Sequence, residues 1–193
     1  MAGSTELSKA DIERLLELLS EELSGEDAEA ELYLVGGAVM CLALDARPAI
    51  RDVDAYFRPT QLVRAAAARV AVRANVTAGW LNAAVKGYLS SHGNFGPYLE
   101  LPNLRVFVAR PEYLLAMKCA AMRLGEEFHD LDDVRYLLRY LNIERVEHAL
   151  SIVTQYFDES LLLPKPRSPW KSCSHSRSSS WGPTCAKCGF AQN

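Results

Sequence analysis

Two carboxylates, Asp52 and Asp54, stand two positions apart in Arg51-Asp52-Val53-Asp54-Ala55-Tyr56-Phe57, where charged and apolar residues alternate as in a half-buried strand. On a strand, such positions share a face and their Cα atoms lie about 7 Å apart. A pair of this kind suits Mg²⁺ or Mn²⁺, hard cations held by one or two carboxylates together with substrate phosphates and water. Upstream, Gly36-Gly37 closes the apolar run Glu31-Leu32-Tyr33-Leu34-Val35 and opens a helix, so a phosphate can approach main-chain N–H groups without meeting side chains. Taken singly, two spaced aspartates are commonly a polar strand edge, and a Gly-Gly pair is commonly only a turn. Their order gives one element for a phosphate and another for a metal. Arg47 and Arg51 flank the aspartates and have two readings, contact with phosphate or pairing with local carboxylates.

The surrounding sequence supplies the elements that must position these groups. Ser8 with Asp11 resembles a capping box, and Ile12, Leu15, Leu16, Leu19 and Leu23 recur at helical spacing, so a helix is predicted over 8–24 with Gly25 ending it. A short helix is expected over 38–44, broken by Arg47-Pro48. Thr60 is the expected cap of a helix whose apolar face is Leu62, Val63, Ala66, Ala67 and Val70. Residues 80–98 read as irregular, with Trp80, Leu81 and Val85 able to start a short helix. Strands follow over 98–101 and 104–108, then helices over 111–125, 130–141 and 144–156, with Gly125 and Asn142 as stop signals. The fold class is α+β: a mixed β-sheet flanked by helices, an N-terminal helix, and a helical C-terminal region over about 111–157.

The chain has 193 residues, 49% of them hydrophobic, and a net charge of -3, which points to a globular protein and disfavours a whole-chain nucleic-acid coat. No apolar stretch approaches the roughly 18 to 20 residues of a membrane span, and the N-terminus is acidic and amphipathic, so a cytoplasmic, non-membrane protein is expected. Composition breaks at Pro164. Residues 164–193 hold five basic residues and no Asp or Glu, while the rest carries 16 basic against 24 acidic residues. The division is therefore a domain over 1–163 and a basic, Ser/Pro/Cys-rich tail over 164–193. With no Leu, Ile, Val or Met, the tail cannot offset its ordering entropy, and disorder is expected. Cys41 and Cys119 fall singly in apolar helical patterns and read as core thiols.

Beyond these residue-level readings, the chain resembles the polymerase-beta-like nucleotidyltransferase superfamily, and within it the AbiEii-like toxins and related small bacterial nucleotidyltransferases. The resemblance lies in Gly36-Gly37-Ala38, Arg47, and Arg51-Asp52-Val53-Asp54. It continues in the Lys118 helix, with Arg123 five residues on, and in Asp130-Leu131-Asp132-Asp133 opening the next helix. It spans about residues 30–157. It implies metal-dependent transfer of a nucleoside monophosphate from an NTP to an acceptor hydroxyl, with release of pyrophosphate. On that pattern Asp52 and Asp54 hold Mg²⁺ or Mn²⁺, and Gly36, Gly37, Arg47, Arg51 and Lys118 bind the nucleotide. Lys118 neutralises phosphate charge, and Asp130 or Asp133 positions that lysine or the acceptor. Implied partners are a nucleotide, a tRNA or protein acceptor, and a cognate antitoxin or toxin.

The sequence also departs from its relatives. Ile50 stands where they carry Thr, Ala83 stands where Trp-Leu-Asn-Asp would place an acid, and the strand over 104–108 offers no third carboxylate, Glu100 being the nearest. The departures keep open an alternative, a catalytically degenerate fold that binds nucleotide or a partner. In the tail, Cys173, His175, Cys185 and Cys188 could supply four zinc ligands, with Cys185-Ala186-Lys187-Cys188-Gly189 resembling a zinc-ribbon knuckle. A shifted reading frame would also produce the break at Pro164, and disorder is the reading preferred over zinc.

Overall fold

The computed structural model describes residues 6–121 and 130–158, all within one unit of the chain, Met1–Leu163. In chain order the elements are β1 (Leu7–Ser8), α1 (Lys9–Ser24), β2 (Ala30–Leu34), α2 (Gly36–Leu42), β3 (Ala49–Ile50), β4 (Val53–Arg58), α3 (Thr60–Ala74), β5 (Leu81–Asn82), a 3-10 turn (Ala84–Tyr88), β6 (Phe95–Leu101), β7 (Leu104–Ala109), α4 (Pro111–Ala120), α5 (Asp130–Tyr140) and α6 (Val146–Tyr156). The protein is α+β, with a mixed sheet in the order β5-β4-β2-β7-β6 and a separate two-stranded pairing of β1 with β3. Within the large sheet β4 lies antiparallel to β2 and parallel to β5, while β7 runs parallel to β2 and antiparallel to β6.

Alternation along the strands decides which face is buried. Ala30, Leu32 and Leu34 of β2, Val53, Ala55 and Phe57 of β4, and Leu104 and Val106 of β7 all point into one core. Helices α1 and α3 pack against each other and reach β7 and β4 respectively, laying Ile12, Leu16 and Leu19 beside Val63, Ala66 and Val70 in that core. The opposite face carries Glu31, Tyr33, Asp54, Tyr56, Arg58, Arg105 and Phe107, and none of these is fully buried. On it the Tyr33 ring stacks on Phe107 at 5.0 Å and tilts against Tyr56 at 5.8 Å.

Helix α1 starts as its sequence predicts. Ser8 Oγ accepts from the Asp11 N–H at 3.3 Å, and the Asp11 carboxylate accepts from the Ser8 N–H at 2.9 Å, completing the reciprocal cap. Hydrogen bonds from the Ser8 hydroxyl and then the Ser8 N–H to the carboxylate hold the Asp11 carboxyl below its usual range. Helix α3 begins differently from expectation. Pro59 is its N-cap, and Thr60 is its first residue, with Oγ1 turned back to donate to the Phe57 carbonyl at 3.2 Å. Asn75 then closes α3 in the left-handed region. Short pairing also replaces the helix start expected at Trp80-Leu81: Leu81 and Asn82 line up with Val53 and Asp54 as β5. Cys41 and Cys119 are free, buried thiols, and burial pushes the Cys119 thiol up to about 12. Among the described residues, no helix is long and apolar enough to cross a membrane. Arg123, the expected stop signal Gly125, and the tail residues Cys173, His175, Cys185 and Cys188 lie outside the described residues.

Candidate active site

The aspartate pair is built by three short segments. Asp54 is the second residue of β4, whereas Asp52 sits in the bend before that strand rather than on it, contrary to the strand reading of the sequence. The two side chains nevertheless converge. Asn82 Nδ2 donates to Asp52 Oδ2 at 2.7 Å and to Asp54 Oδ1 at 2.8 Å. Asn82 reaches them because β5 pairs in parallel with β4, setting Asn82 opposite Asp54. Its own Oδ1 accepts from the Ala84 N–H at 2.7 Å, which fixes the amide with nitrogen toward the carboxylates. Sequence reasoning missed Asn82 as a member of this site. Only the tertiary pairing of a two-residue strand brings it there, and no periodicity marks so short an element.

The glycine turn closes on the same spot. Gly36 has φ +59°, and a Cβ added to it would lie 3.1 Å from Asp54 Oδ2. Glycine is thus required twice, for its left-handed backbone and for the close approach of Asp54. The neighbouring Gly37 lies against Ile50 and Arg47, whose Nη1 would be 3.5 Å from an added Cβ. The amide of Val35, just before the turn, donates to the Asp54 carbonyl at 3.0 Å. Gly36→Ala should therefore lower stability by about 1–2 kcal/mol from backbone strain alone. Urea unfolding beside Gly79→Ala, where an added Cβ meets nothing within 4 Å, supplies the comparison. Equal losses at both positions would contradict the special demand at Gly36.

Arg47 leads from this turn to a second cluster. Its Nε and Nη2 both bond Asp133, the closest contact being 2.6 Å to Oδ2. Asp133 also meets Lys118 Nζ at 2.8 Å, and Lys118 meets Asp130 Oδ1 at 2.8 Å. Both carboxylates are buried in the first turn of α5, where the helix dipole favours negative charge. Of the two readings of Arg47, the structure places it in an ion pair, with a carboxylate 86 positions away in sequence. Lys118 is held by both acidic candidates, Asp130 and Asp133. Arg51 is exposed and forms no ion pair among the described residues. Asp132 points outward and, among the described residues, meets Arg135 at 3.2 Å.

Glu100, the nearest substitute for a third carboxylate, lies far from the pair. It is on edge strand β6, three strands from β4, or roughly 14 Å at ordinary strand spacing, and is in register with Arg105. Among the described residues no group of three or more His, Cys, Asp or Glu is arranged to hold a metal. The donor set that remains is two carboxylates converging within 2.8 Å of one amide nitrogen, beside a turn without side chains. Two converging carboxylates, neither fully buried, are a donor set of the kind Mg²⁺ or Mn²⁺ takes together with phosphate and water.

A surface depression of about 440 Å³ lies at the opposite end of β2, lined by Glu29, Ala30, Glu31, Arg58, Pro59 and Arg105. Three of its four charged residues satisfy one another. Glu31 accepts from the Tyr33 hydroxyl at 2.8 Å and pairs with Arg58 and Arg105. The tyrosine hydrogen bond, aided by the guanidinium groups, holds the Glu31 carboxyl below its usual range against the opposing effect of burial.

No protein-family model and no curated protein matches the chain. Among solved structures it is similar to an antigenic nucleotidyltransferase-like protein from Paracoccidioides brasiliensis, with 14% identity and a TM-score of 0.45 over 78% of this chain and 90% of that one.

Proposed function

We propose that the protein is a metal-dependent nucleotidyltransferase that moves a nucleoside monophosphate from an NTP to an acceptor hydroxyl. The observation that supports this reading most is the convergence of Asp52 and Asp54 at one point against Gly36. Asp52 and Asp54 would hold Mg²⁺ or Mn²⁺, which when bound neutralises triphosphate charge and lowers the pKa of an acceptor oxygen. The chain's own residues supply orientation and charge. Gly36 and Gly37 would present main-chain N–H groups to the triphosphate. Lys118, ion-paired with Asp130 and Asp133, would neutralise phosphate charge as a compact cation. Arg51, exposed beside Asp52, can reach incoming phosphate without leaving a partner. The acceptor is RNA, protein or a small molecule, and the toxin-antitoxin setting belongs to the same proposal through the AbiEii-like resemblance.

Two observations favour a second reading, a nucleotide- or partner-binding module without catalysis. Arg47 is committed to Asp133, and Asp54 has no third carboxylate on β7. Isothermal titration with each NTP, with and without Mg²⁺, separates the two from a purely structural role. Magnesium-dependent binding is expected for the native chain and absent in the Asp52→Ala, Asp54→Ala double variant. Binding that ignores Mg²⁺ and survives the double substitution would favour the module, and folded protein that binds no NTP would reject both.

A further inference from the structure

Asn82 stands in an unusual place for a neutral side chain. Its amide nitrogen is within 2.8 Å of one oxygen from each aspartate, so it occupies the point on which a shared cation would also converge. Three constraints keep it there. Register sets it opposite Asp54, the Ala84 N–H anchors its carbonyl oxygen at 2.7 Å, and the Val53 N–H bonds the Trp80 carbonyl at 2.7 Å to hold the segment against β4. Turning the amide over would set oxygen against two carboxylates and NH₂ against a main-chain donor, which is repulsive at both ends.

We infer that Asn82 is a positioning residue that sets the cation affinity of the Asp52–Asp54 pair, its amide relieving the repulsion of the two carboxylates and competing with the metal for them. The inference rests on the metal-site reading above. A bound cation must displace two charge-assisted hydrogen bonds, each costing more to lose than a neutral one. Removing the amide takes away one competitor for the carboxylates and restores part of their repulsion, and both changes favour the cation. A carboxylate at the same position would keep the Ala84 contact and add a third hard oxygen.

The test is Mn²⁺ binding by the full chain, followed by electron paramagnetic resonance of the free ion. It compares the native protein, Asn82→Ala, Asn82→Asp, and the Asp52→Ala, Asp54→Ala double variant, each checked for folding by circular dichroism. Asn82→Ala should bind Mn²⁺ about tenfold more tightly than the native chain, the equivalent of one lost charge-assisted hydrogen bond, and Asn82→Asp more tightly still. Unchanged or weaker binding in folded Asn82→Ala, with native binding that still depends on the aspartates, overturns the role of Asn82 and leaves the metal site standing. Native binding equal to that of the double aspartate variant overturns the metal site itself, and this inference with it.

Discussion

Asp133→Ala is expected to cost about 3–5 kcal/mol of folding free energy, because it strips the shared partner from two cations that are themselves largely withdrawn from water. Asp133 is 3% exposed and takes Arg47 through two guanidinium nitrogens as well as the Lys118 ammonium. These three groups come from different places: the loop after α2, helix α4 and helix α5. In the same region the Tyr136 hydroxyl of α5 donates to the Leu44 carbonyl at 2.7 Å, so the loop and helix are fastened at two points. Arg47→Ala should cost less, since the Arg47 side chain is 22% exposed and its loss leaves Asp133 still paired with Lys118. Asp133→Asn, which keeps shape and loses charge, should fall between the two. Chemical unfolding of the three variants measures the order, and a change within roughly 0.5 kcal/mol for Asp133→Ala would reduce the cluster to surface decoration. The consequence reaches the glycine turn, because Arg47 is also the side chain packed against Gly37.

The elements with long, regular apolar patterns were readable from sequence, and the contacts that complete the site were not. Helix α1 shows both its cap and its periodic face in local residues, and α5 and α6 end within about two residues of expectation. The aspartates and the glycine turn were visible because the chemistry they suit demands those residue types close together. Asp52 falling in a bend was not visible, since alternation in Arg51-Asp52-Val53-Asp54 looks the same whether pairing begins one residue earlier or later. Asn82 and the Arg47–Asp133 pair depend on contacts 28 and 86 positions apart, which local periodicity does not encode, although Asn82 lies in the Trp-Leu-Asn stretch compared above with Trp-Leu-Asn-Asp. Thr60 shows the limit from the other side: a good capping residue lost its place because Pro59 already supplies the extended entry to α3.

Trp80→Ala is the second large effect expected, and it tests how the site is carried rather than what it does. Trp80 is fully buried between α3 and the sheet, and its indole Nε1–H donates to the Ala67 carbonyl at 3.0 Å. Truncating a buried tryptophan typically costs about 3–5 kcal/mol through lost transfer energy and the cavity left behind. Trp80→Phe keeps most of the apolar volume and drops only the indole hydrogen bond, so its loss should be about 1–3 kcal/mol, the cost of an unsatisfied buried acceptor. The position has a further consequence because of its neighbours. The Trp80 carbonyl accepts from Val53, and two residues on Asn82 holds both carboxylates. With the indole gone, the segment loses its anchor on α3 and keeps only its links to β4, so hydrogen exchange at the Val53 amide should accelerate more than global destabilisation explains. Equal acceleration at Val53 and at the central amides of β2 would mean that Trp80 stabilises the core as a whole and does nothing particular for the strand that carries Asn82.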